Sequence, residues 1–125
     1  MRTKWTVTQW FSGALGAVAV GLIPWTVLLS RTLPDETRVR NWATAWIGLD
    51  ILLTAGCTVT AVLARRRAER VRVAAAATGS VALLDGWFDV TTAATGPEFL
   101  AAACCGAGEL LLAAVCGFLA LRHND

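Results

Sequence analysis

A single histidine, His123, stands in the tail of this chain, and no two cysteines are spaced as C-x-x-C. Without histidine partners, Cys57, Cys104, Cys105 and Cys116 do not read as haem or zinc ligands. A serine or cysteine nucleophile would have no imidazole base, so acyl transfer by a triad is excluded. Without C-x-x-C, a thioredoxin-like or quinone-linked thiol oxidoreductase is excluded as well. Adjacent Cys104 and Cys105 point about 100° apart on a helix and cannot easily pair with each other. All four cysteines fall in apolar segments and read as space-filling residues. No metal and no cofactor is expected.

Charge is scarce too. Only 16% of residues are charged against 56% apolar, with a mean hydropathy of +0.58, which fits neither an ordinary soluble domain nor a disordered chain. The apolar residues form four blocks, at about 10–30, 42–64, 72–94 and 98–121, each near the ~20 residues that a membrane-crossing helix needs. The connections are too short for a soluble domain. The expectation is an all-α protein, a bundle of four transmembrane helices, with residues 1–125 forming a single integral membrane domain. The basic start Met1-Arg2-Thr3-Lys4 and the small-x-small site Ala17-Val18-Ala19 imitate a signal peptide. However, the apolar run continues through Pro24, Trp25 and Leu29, beyond the usual secretory core of roughly 7–15 residues, so the first block reads as a retained helix.

The few basic residues are unevenly placed. Arg2, Lys4, Arg65, Arg66, Arg67, Arg70, Arg72 and Arg122 fall on one side of the expected membrane, and only Arg31, Arg38 and Arg40 on the other. The positive-inside rule puts both termini in the cytoplasm of a multi-pass protein of the cell membrane. The arginine cluster reads as a topology signal with some lipid headgroup contact rather than a nucleic-acid site.

Apart from Arg72 and Glu98, which open the third and fourth blocks, the apolar blocks contain no Lys, Arg or His, yet four acids lie within them: Asp50, Asp85, Asp89 and Glu109. An Asp at a helix centre costs roughly 2.5–3.5 kcal/mol on insertion scales. Intramembrane acids usually face a bundle interior and mark ion, proton or substrate sites. Asp85 and Asp89 are i and i+4 on one stripe with Thr78, Ala82 and Thr92. Ionised together in low dielectric they would repel, so at least one is expected to be protonated, to share a proton or to hold a cation. At ~1.5 Å rise per residue, Glu109 falls near the midplane, Asp50 and Asp85 a few ångströms outward, and Asp89 about a turn further. The four are therefore expected to form one acidic site, with Trp46 and Trp87 as walls.

The remaining faces add context. In the first block Gly13, Ala17 and Gly21 recur every four residues, a small-residue seam suited to a homo-oligomer. In the second, Asn41 is a plausible N-cap, and Trp42, Trp46, Asp50, Thr54, Cys57 and Ala61 are expected to share a face. In the fourth, Pro97 and Glu98 suit a first turn, and Ala102, Cys105, Gly106, Glu109, Ala113 and Cys116 form a small face.

Carboxylates without basic partners stabilise positive charge. Three functions follow. The first is proton or cation handling, or cation-coupled transport, with a small cation or hydrophobic substrate. The second is an intramembrane enzyme acting on a lipid or isoprenoid, with Asp85 and Asp89 as general acid and base. The third is an accessory or scaffold subunit whose acids bond between helices.

The segment Leu84-Asp85-Gly86-Trp87-Phe88-Asp89-Val90, with Gly48-Leu49-Asp50 upstream and an acid in the last helix, resembles small four-helix integral membrane proteins of actinobacteria. The Ala/Arg/Val-rich, tyrosine-free composition suits such a source. The resemblance implies the four-helix layout and treats the acids as a group; it brings no activity with it. Other families fit poorly. Helix 1 lacks the acid of small multidrug exporters, and the arginines cluster in a loop rather than at every third position of a voltage-sensing helix.

Overall fold

The structure, a computed structural model, describes residues 7–32 and 34–122. Arg2, Lys4 and His123 lie outside the described residues. Among the described residues there are four α-helices and no strands: α1 (Val7–Thr32), α2 (Trp42–Arg65), α3 (Val71–Thr92) and α4 (Pro97–Leu121). Each begins and ends within about three residues of the apolar block that announced it. The chain divides into two compact units, Met1–Val39 with α1, and Arg40–Asp125 with α2, α3 and α4.

α1 is a continuous helix through Pro24. Proline has no N–H, so the carbonyl one turn earlier loses its intrahelical donor there. At the other end, Ser30 and Thr32 donate their hydroxyls to the carbonyls of Val27 and Leu28, at 2.8 and 2.9 Å. Of the small-residue seam, Ala17 is exposed and Gly21 has open space where a Cβ would stand.

In the second unit α3 is the middle helix, antiparallel to both neighbours. Its buried face is Ala75, Thr78, Gly79, Ala82 and Asp85, a three- and four-residue repeat. α2 packs on one flank of it and α4 on the other, while no Cα of α2 comes within 8 Å of one in α4. The expected four-helix bundle is thus represented by a three-helix unit, with α1 belonging to the other.

Among the described residues the core contains no large side chain. Ala75 and Ala82 are wholly buried, joined by Ala113, Cys116 and the polar Thr60, Thr78 and Asp85, whereas Leu, Ile, Val, Phe and Trp residues point outward along every helix. Small residues at the contacts and large apolar ones outside is the pattern of helices packed in lipid, where close backbone approach replaces the hydrophobic drive. α2, α3 and α4 are each long and apolar enough to cross a membrane, with mean hydropathies of 1.9, 1.2 and 2.0. Their 22–25 residues span roughly 33–38 Å, enough for a hydrocarbon core of ~30 Å. The chain has the build of a membrane protein.

Two loops set the geometry. α2 ends in a Schellman motif: Ala68 N–H donates to the Leu63 carbonyl at 3.0 Å and Arg67 N–H to the Ala64 carbonyl at 3.1 Å. The left-handed position of the motif, usually glycine, is filled by Arg67 at φ 51°. Between α3 and α4, Gly96 takes φ 91° and ψ −139°, a region essentially reserved for glycine, and Pro97 starts the next helix. Asn41 stands at the N-cap position of α2 but is itself left-handed, at φ 58°, and its side chain makes no capping bond. An N-cap needs extended backbone to aim its oxygen at the first N–H groups, so the expected cap is not made.

Candidate functional site

The acids divide by environment. Asp85, on the buried face of α3, is only 2% exposed. Across the α3–α4 contact, Glu109 is half-buried and its side chain comes within hydrogen-bonding reach of Asp85. Glycine makes the approach possible: a Cβ on Gly86 would lie 2.9 Å from Glu109 Oε2 and 3.6 Å from the Gly106 Cα. Two ionised carboxylates have no hydrogen between them, and Glu109 Oε2, shielded from solvent, has no donor. A buried acceptor left in that condition is costly, and a proton or cation shared with Asp85 would relieve it.

Asp89, one turn beyond Asp85, is half-buried and lines a cleft of about 310 Å³ with Trp42, Trp46, Thr92, Ala93, Glu98 and Ala102. An aromatic chain borders it. Trp42 and Trp46 meet edge to face with ring centroids 5.6 Å apart, and Trp46 meets Phe88 likewise at 6.3 Å. The Thr92 hydroxyl donates to the Phe88 carbonyl at 2.7 Å, so its proton is turned away from the cleft.

Asp50 and Trp87 are placed otherwise. Asp50 is exposed on α2. The less exposed face of α2 runs through Trp46, Leu49, Leu53, Gly56, Cys57, Thr60 and Leu63; of the expected stripe, Trp46 and Cys57 lie on it, whereas Trp42, Asp50, Thr54 and Ala61 are exposed. Leu49, Leu53, Gly56 and Leu63 share this face with the polar Thr60. Trp87 is 67% exposed, because two residues from either aspartate puts it on the far side of α3. Phe88 takes the place beside Trp46. Cys104 and Cys105 are exposed, so they do not fill the core as Cys116 does. Among the described residues no three His, Cys, Asp or Glu side chains converge on a point that could hold a metal ion.

Glu98 is the addition that sequence reasoning missed. Its place in a first turn suits the helix dipole, but Glu98, Ala102, Gly106 and Glu109 also follow at steps of four, four and three, a spacing that lays them along one face of α4.

Elsewhere the polar groups satisfy one another. Thr60 and Thr78 share a buried hydroxyl–hydroxyl bond of 3.1 Å across the α2–α3 contact. Arg72 Nε–H donates to the Ala120 carbonyl at 3.0 Å, and the Arg122 guanidinium lies 5.4 Å from the Phe118 ring centroid. The first contact ties the arginine end of α3 to α4, and the second lies within the end of α4 itself.

Comparison with protein-family models, with curated proteins and with solved structures finds no match for this chain. The resemblance carried by the D-x-W-F-D-V segment therefore gains no activity from a relative, and function rests on the geometry.

Proposed function

We propose that this protein handles protons or cations across the cell membrane, as a small cation-coupled transporter or proton-conducting unit, with its arginine-rich end in the cytoplasm. One observation carries the reading: a buried carboxylate oxygen, Glu109 Oε2, has no donor while it faces the buried Asp85. The basic residues of α2 and α3, Arg65 and Arg72, stand at the far end of those helices, and Arg72 lies 13 residues, roughly 20 Å, along α3 from Asp85, so neither neutralises the pair. Two acceptors held together become stable when a positive charge joins them and unstable when it leaves, which is the elementary property of a carrier site. Asp85 and Glu109 form its centre, Asp89 lies on the way to the cleft, and Asp50, exposed on α2, is left for a partner surface. A homo-oligomer through Gly13, Ala17 and Gly21 would complete the path.

The test is purified protein in sealed liposomes loaded with a pH-sensitive dye. Wild type is expected to dissipate an imposed proton gradient, and Asp85→Asn to slow this at least tenfold. Equal flux in the two preparations overturns the reading. Conversion of a membrane-supplied isoprenoid or lipid without flux would instead assign Asp85 and Asp89 to an enzyme. Neither flux nor conversion would leave a scaffold.

A further inference from the structure

The cleft beside Asp89 has features that proton carriage does not require. A proton needs neither indole walls nor a volume of about 310 Å³, which is at the lower edge of small-molecule sites. The lining comes from all three helices: Trp42 and Trp46 from α2, Asp89 from α3, Glu98 from α4. Here α2 and α4, whose Cα atoms do not come within 8 Å of one another, line a common space. The lining contains two carboxylates and no basic side chain, so an anion is repelled and a cation is favoured. The tryptophans are set edge to face rather than stacked, which leaves an indole face unoccupied by its neighbour. An indole face beside carboxylates fits a cation whose charge is spread over methyl or methylene groups, because such an ion sheds its water easily and gains from the ring quadrupole. A metal ion has no converging ligand set among the described residues.

We infer that the cleft of Trp42, Trp46, Asp89 and Glu98 binds a small lipophilic organic cation of the quaternary ammonium class. The indoles take its alkyl surface, and Asp89 and Glu98 balance its charge from two sides. The inference deepens the proposed function by naming a cargo, and it rests on that reading only for the cargo's movement; binding itself does not.

The experiment titrates benzyltrimethylammonium, and separately its uncharged carbon isostere neopentylbenzene, into the full chain in lipid nanodiscs while tryptophan fluorescence is followed. Saturable quenching by the cation is expected, with at least fivefold weaker binding in Glu98→Gln and in Asp89→Asn, and none by the isostere. Glu98→Gln keeps the shape of an exposed side chain at a helix start, so it stays informative even if the Asp89 variant folds poorly. Loss of quenching in Trp46→Phe is not expected, because a second indole remains; its loss in Trp42→Phe/Trp46→Phe is. Equal binding of the neutral isostere, or unchanged affinity in Glu98→Gln, overturns the inference. Binding without proton flux in liposomes would remove the transport reading and leave the cleft; flux without binding would do the reverse.

Discussion

Two polar contacts lie along α3 about 10 Å apart. At one, Thr78 meets Thr60 of α2; at the other, Asp85 meets Glu109 of α4. Both bury polar atoms between close-packed helices, and in both a glycine opposite makes room, Gly56 for Thr78 and Gly86 for Glu109. A hydroxyl carries a donor and an acceptor, so two of them satisfy each other and need nothing more. A carboxylate only accepts, and two of them cannot close without a third, positive participant. The same architecture is therefore a fastener at the threonines and an unfinished bond at the acids.

Exchanging the chemistry should break this contrast most strongly. Thr78→Asp would put an acceptor-only group where the seam is closed, and is expected to cost about 2.5–3.5 kcal/mol, the scale for an aspartate in mid-helix. Thermal unfolding in mild detergent measures it, and a variant as stable as wild type would mean that the threonine seam is wetter than its burial indicates. The converse change finishes the bond. Glu109→Gln supplies an amide hydrogen to Asp85 and is expected to stabilise the protein by about 1 kcal/mol while lowering proton flux. A simultaneous loss of stability would show that the carboxylate already has a partner. The smallest effect tests the loop between the fastener's helices. Arg67→Gly relieves a left-handed side-chain conformation and loses part of the gain to unfolded-chain entropy, for a net stabilisation of about 0.5 kcal/mol. No gain in melting temperature would place the cost of Arg67 elsewhere.

The helices themselves were legible because length and hydropathy act locally: each apolar block became a helix with ends displaced by no more than about a turn. The α3 stripe was legible for the same reason, since Thr78, Ala82 and Asp85 are linked by helical spacing alone. What could not be read was rotation. Whether α2 turns Asp50 or Leu49 toward α3 depends on which surface packs more closely, and Leu49, Leu53 and Gly56 offer a smoother one than a stripe containing a carboxylate. The assignment of Trp87 failed for a related reason: its ring was credited with reach around a helix whose far side it occupies. Glu98 was missed because a plausible local role, an acid near a helix N-terminus, hid the face it shares with Glu109.

The middle position of α3 has a consequence for how the chain enters the bilayer. It is the least apolar of the three candidate spans, at a mean hydropathy of 1.2 against 1.9 and 2.0, and it carries two aspartates. Each costs on the order of 2.5–3.5 kcal/mol near the centre of an isolated helix, so α3 is poorly equipped to leave the translocation channel alone. Its polar face becomes sheltered only when α2 lies on one flank and α4 on the other. The last helix is then a chaperone within its own sequence: until it is made, the segment bearing the acids has half its shelter, and a chain ending before Pro97 would leave α3 at the margin of insertion.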